Sequence, residues 1–162
     1  MTMTLIQTVT VGSGGAASME FTGIPQDGVD LVVLLSARGD ATAFSRLEVN
    51  SDTTNYAEIR VRNNNGGVSS QAFTGFGPLG VSNDPAYTAN TFGNTSFYIA
   101  NYAGSTSKSI SVDGTGENNA TSIQQILQAN AYTQNTAVSS VTLTPTSGNF
   151  VEHSTASLYS IS

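Results

Sequence analysis

Three observations predict an all-β fold, an antiparallel β-sandwich of jelly-roll type. Short segments alternate apolar and polar residues between Gly, Asn and Asp turn signals at regular spacing, enough for about ten short strands. Charged residues are only 10% of the 162-residue chain, against roughly 25% in an ordinary soluble domain. Abundant Thr, Ser, Asn and Gly must therefore form the surface, as suits exposed sheets and tight turns. Finally, residues 31–35, Leu-Val-Val-Leu-Leu, form the most apolar run, and a run without a polar side predicts a strand covered on both faces. A second layer of the same protein, or another subunit, has to supply the outer cover. Residues 1–162 read as one domain, long enough to bury roughly two thirds of its unfolded surface.

The elements follow in order. Residues 4–11 alternate, with Leu5, Val9 and Val11 on one face, and predict a first strand. Gly12-Ser13-Gly14-Gly15 turns the chain into a short strand with Met19 and Phe21, ending before Ile24-Pro25. After the central strand and Arg38-Gly39-Asp40, residues 44–50 and 55–62 form an alternating pair. In the second member Ala57, Ile59 and Val61 stand opposite Glu58, Arg60 and Arg62. Asn63-Asn64-Asn65-Gly66-Gly67 predicts a hairpin, because Asn and Gly accept positive φ, and residues 68–76 return as a strand. Pro78, Gly80, Asn83, Asp84 and Pro85 break the pattern across residues 77–92. This is the longest irregular loop, and long ordered loops often carry function.

Residues 94–102 and 107–112 resume as strands. Residues 122–132 fit either helix or strand, and the β character of the surrounding chain favours strand. Residues 137–144 and 155–161 close the fold around a loop of residues 145–153, and no internal repeat is present.

Composition excludes most chemistry. With no Cys and one His, disulfides, thiolate nucleophiles and the usual zinc sites are ruled out. Five basic residues and a formal charge of -6 give no cationic footprint for nucleic acid. No segment reaches transmembrane length, and no signal-peptide pattern opens the chain, so neither a membrane partner nor Sec export is expected.

The candidate residues are few. His153 would have to serve any serine triad, yet no G-x-S-x-G elbow exists, and a solvated loop His is the default. Asp113-Gly114-Thr115-Gly116-Glu117 offers two carboxylates but lacks the EF-hand pattern, so a plain turn is favoured. Arg38-Gly39-Asp40 spells an adhesion tripeptide where a turn is expected. Asn94-Thr95-Ser96 and Asn119-Ala120-Thr121 match glycosylation acceptors but read as turn polar groups. Tyr56, Tyr87, Tyr98, Tyr102, Tyr132 and Tyr159 could stack on sugars, or cap the core with wet hydroxyls. No catalytic, cofactor or metal residue emerges, so a non-enzymatic protein is expected.

Longer strings carry a resemblance. Phe97-Tyr98-Ile99-Ala100-Asn101-Tyr102-Ala103-Gly104, Glu117-Asn118-Asn119-Ala120-Thr121, and Leu143-Thr144-Pro145 with Ser147-Gly148-Asn149-Phe150 are similar to a family of bacteriophage virion jelly-roll proteins. Val11-Gly12-Ser13-Gly14-Gly15 and Phe21-Thr22-Gly23-Ile24-Pro25 also resemble that family's first third. Its members occur as head-decoration (cement) proteins and as tail-fibre domains of tailed phages, especially cyanophages. The resemblance implies a virion structural subunit, assembled in the host cytoplasm, that stabilises neighbouring capsomers on the major capsid protein. A homotrimer is expected, because local threefold positions would suit three copies and the 31–35 strand favours burial between them. The alternative is a tail-fibre or receptor-binding module recognising host surface glycans through tyrosine-lined loops, chiefly residues 77–92. A carbohydrate-active enzyme would need paired acids in a cleft, and nothing in the sequence points to one.

Overall fold

The computed structural model describes residues 2–42 and 44–162. Alternation produces strands, and the turn residues divide them where the sequence indicates. In order they are β1 (Met3–Thr10), β2 (Met19–Thr22), β3 (Asp30–Ala37), β4 (Phe44–Val49), β5 (Tyr56–Asn64) and β6 (Gly67–Thr74). They continue as β7 (Leu79–Val81), β8 (Gly93–Ile99), β9 (Lys108–Glu117), β10 (Ile123–Tyr132), β11 (Ser140–Pro145) and β12 (Thr155–Ile161). The strand ladders are antiparallel, in an eight-stranded sheet ordered β1-β12-β3-β8-β9-β10-β5-β6 and a four-stranded sheet ordered β2-β11-β4-β7. The chain is an all-β antiparallel sandwich. A jelly roll carries eight strands in two Greek keys; here twelve strands divide eight and four, and the plain sandwich is the description the strand order supports.

The core lies between the small sheet and the β12-β3-β8-β9 part of the large one. Leu31, Val33 and Leu35 meet Phe97, Ile99, Leu158 and, from the small sheet, Phe21, Leu47 and Leu143, all essentially inaccessible to solvent. β3 differs from expectation on its outer side. Val32 is buried between the cross-strand neighbours Tyr159 and Tyr98, while Leu34 is 41% exposed opposite Ser157 and Ser96. Lateral packing by aromatic neighbours takes the place of the second layer that the run of five apolar residues suggested.

Other boundaries also move. Residues 77–92 are not wholly irregular, since β7 pairs with Phe44–Arg46 of β4 despite its flanking Pro78 and central Gly80. Residues 113–117 are not a turn but the end of β9, with Gly114 and Gly116 facing inward. β8 stops at Ile99, and Tyr102 in the following turn drops into the core. In β1 a bulge between Leu5 and Gln7 exposes Leu5 and leaves Ile6 and Val9 to pack on the core. At the β1 edge the backbones of Thr2 and Ser162 exchange two hydrogen bonds of 2.8 and 3.0 Å.

Candidate docking face

β5 and β10 alternate as expected, but with the opposite sign. Their buried inward residues include Glu58, Arg60, Gln124, Gln128 and Asn130, beside the apolar Ile126 and, at one end, Tyr56 and Tyr132. Their outward residues include Ile59 (65% exposed), Leu127 (46%), Val61 and Ile123. Register makes these side chains one patch. Ile59 pairs with Ala129 and Ala72, Val61 with Leu127 and Ser70, and Ala57 with Ala131 and Thr74. None of these outward positions is charged. Two shallow hollows of about 450 and 460 Å³ lie on either side of the Ile59–Ala129 pair. Toward β9 and β8 the same face becomes polar, with Ser111, Asp113 and Ser96.

The cause of the inversion lies in the layer opposite. The small sheet ends at β7, whose free edge comes down on β8, β9 and β10. Gln128 satisfies that edge by accepting from Leu79 N at 3.0 Å and donating to Leu79 O at 2.9 Å. The approach is close: a Cβ on Gly116 would stand 2.7 Å from Asn83 Oδ1, and one on Gly80 would stand 2.7 Å from Phe97 Cζ. Glycine at these places admits β7, which explains the Gly-x-Gly of β9 that reads as a turn in sequence. Among the described residues the small sheet meets β5 at its two ends, through Phe44 at Arg62 and Val49 at Tyr56, and the stretch between lies beyond β7. There Glu58 pairs with Arg60, and Arg60 lies 4.7 Å from the centroid of the Phe73 ring. Polar groups facing inward must find partners there, and Glu58 Oε2, Arg60 Nε and Asn130 Oδ1 have none.

At the far end of the pair, Tyr132 packs on Tyr56 with ring centroids 5.2 Å apart. Tyr56 Oη accepts from Val49 N at 2.8 Å and donates to Asp52 O at 3.1 Å. Burial, before any neighbouring charge, raises its pKa well above the usual tyrosine value. β6 closes the sheet as an edge strand with no charge and no Pro, a kind of edge open to pairing with another chain.

The residues singled out in sequence are dispersed. His153 is exposed at positive φ (72°), its amide held by Val11 O at 2.9 Å. Arg38 is not presented as an adhesion loop: its Nη1 donates to Thr88 O at 2.9 Å and Thr91 O at 3.1 Å, and its Nη2 to Tyr87 O at 3.1 Å. Asp40 Oδ1 accepts from Asn149 N at 2.7 Å. Asn94 is a strand residue rather than a turn group, whereas Asn119 occupies the β9–β10 turn at φ 57°. Asp113 and Glu117 point outward from β9, and no group of three or more His, Asp or Glu side chains among the described residues could hold a metal ion. Tyr102 is not a wet cap, since its hydroxyl donates to Pro25 O and accepts from Gly28 N. Sequence reasoning missed the outward patch. The signal was present, because Ala57, Ile59 and Val61 share a face, as do Ile123, Leu127 and Ala129.

No protein-family model matches the chain, and neither the curated proteins nor the solved structures include a match.

Proposed function

We propose that this chain is a non-enzymatic virion structural protein, a capsid decoration subunit that docks on the major capsid protein through the outer face of β5 and β10. The observation carrying the reading is the β5–β10 pair, largely polar within around Glu58, Arg60 and Gln128 and apolar without at Ile59, Val61, Ile123 and Leu127. Three strands about 4.8 Å apart, each contributing about six residues at 3.3 Å, make a patch of roughly 300 Å². That is the size of a functional patch on a monomer, yet well below the roughly 800 Å² per partner of a standard stable interface. One copy on this face binds weakly. Occupancy has to come from repetition, which a shell lattice supplies through many equivalent copies acting together. The same size argues that the homotrimer assembles on the shell, at local threefold positions, rather than beforehand in solution. The resemblance to phage head-decoration proteins and the sparsely charged exterior support the same reading.

The test is rebinding. Purified protein is added to shells from which it has been stripped, and copies per particle are counted in low-dose images. Wild-type protein should saturate symmetric positions and Ile59→Asp should not. Location in tails alone, or equal rebinding by Ile59→Asp, would exclude the proposal.

A further inference from the structure

The inner side of the same strands ends in a cleft of different character. Phe44 at the start of β4, Arg62 and Asn64 of β5, Gln124 of β10, and Asp84 and Tyr87 line a hollow of about 290 Å³. A second hollow of about 240 Å³ adjoins it. Asn64 and Tyr87 line both, so together they form one two-chambered groove. A volume near 300 Å³ is the lower limit for a small-molecule site, which suits one small ring in each chamber.

The first chamber contains one cation, Arg62, and one carboxylate, Asp84. Its lining is therefore electrically balanced and favours neither anion nor cation. Arg62 is held at two points: its Cζ lies 5.1 Å from the Phe44 ring centroid and Nη2 donates to Gln124 Oε1 at 3.0 Å. Its Nε is buried without a hydrogen-bond partner. The Tyr87 phenol, half-buried between the two charges, has its pKa raised by burial first and then by Asp84, with Arg62 acting against them. The walls thus offer donors and acceptors side by side, together with the partly exposed Tyr87 and the Phe44 ring that backs Arg62.

Hydrogen bonds also tie the walls of the groove together. Arg38 grips the carbonyls of Tyr87, Thr88 and Thr91. Asn83 Nδ2 donates to Thr91 Oγ1 at 2.8 Å and Glu117 O at 2.9 Å, and Asn65 ties the hairpin tip to Ser122 Oγ at 3.0 Å and Ile123 N at 2.8 Å. A preformed site avoids most of the ordering cost of binding.

We infer that this groove binds a neutral disaccharide, one ring in each chamber, with Tyr87 and Asn64 at the junction. A sugar ring both donates and accepts along every edge and carries apolar C–H faces, which matches polar walls interrupted by the aromatic side chains of Tyr87 and Phe44. A nucleotide fits poorly, because its phosphate would enter a chamber of zero net charge on a chain of charge -6. The site goes beyond docking on a shell and stands or falls independently of it.

Saturation-transfer NMR against a panel of neutral disaccharides, followed by calorimetry of those that respond, tests the inference. At least one neutral disaccharide should bind, and Tyr87→Ala, Asn64→Ala or both should weaken it by about tenfold or more while the melting temperature stays at the wild-type value. Silence from the whole panel, response only to sialylated or uronic sugars, or undiminished binding in both variants would overturn it.

Discussion

In the β12, β3 and β8 part of the large sheet the inward side is predominantly apolar; in β10 and β5 most inward positions beyond the end pair Tyr56 and Tyr132 are polar and most outward ones apolar, Ile126 being the inward exception. Val33, Phe97 and Leu158 face the small sheet, whereas Glu58, Arg60 and Gln128 occupy the equivalent side of the neighbouring strands. The period is the same in both regions. The sign is set by what lies opposite: an apolar sheet over β3, and the free backbone edge of β7 over β10. Alternation records that two faces differ, and only the opposing layer decides which becomes the inside.

Mutations can sharpen or break this contrast. The largest effect belongs to the conventional half, where Phe97→Ala should cost about 4 kcal/mol by removing a fully buried ring, read from denaturant unfolding. In the reversed half, Glu58→Ala should cost about 3 kcal/mol, because it leaves Arg60 charged and buried. Replacing both together, Glu58→Leu with Arg60→Met, should restore wild-type stability or exceed it; a loss as large as that of the single variant would show that the polar lining itself is required. Gly116→Ala should cost about 2 kcal/mol through its clash with Asn83 and Val81, and unchanged stability would mean that β7 can retreat.

Tyr56→Phe should cost about 1 kcal/mol at neutral pH through two lost hydrogen bonds. It should also alter the alkaline limb of the stability curve. Because the folded pKa lies above the ordinary value of 10.0, the unfolded chain releases its proton first, and stability falls as pH rises above 10. The variant should fall less steeply there, as followed by urea midpoints across the alkaline range. The smallest effect is expected on the outer face, where Ile59→Ser should change stability by less than about 0.5 kcal/mol. A large loss at Ile59 would mean that this face is packed within the chain, and the contrast between the two halves would collapse.

Much of the fold was legible from local chemistry. The Asn63–Gly67 turn declared itself because Asn65 and Gly66 adopt the positive φ for which those residues are suited. β10 was legible as a strand from its surroundings, although the inward member of its apolar set is Ile126, not Ile123 or Leu127. β7 was hidden because Pro78 and Gly80 carry loop signals, while Gly80 serves close packing against Phe97. Gly114 and Gly116 concealed the end of β9 for the same reason. The alternation of β5 and β10 and the 77–92 loop pointed to the proposed docking face and to one wall of the groove, but not to which side each would take. Both depend on which side of β5 meets the small sheet, a long-range fact that no window of sequence contains. Arg38 shows the converse: a tripeptide that looks like a recognition motif is spent on three carbonyls of the loop beside it.

The paired backbones of Thr2 and Ser162 give the molecule a single point of attachment. Anything joined to either end departs from the same corner, beside β1 and at the opposite margin of the large sheet from β6. A peptide a few residues long could join the two ends, so a circular permutant opened at an exposed turn should keep the strand order intact. Pulled apart by those ends, the chain would peel β1 from β12 one hydrogen bond at a time instead of shearing the whole ladder at once. Cargo displayed there would hang clear of both the apolar face and the groove.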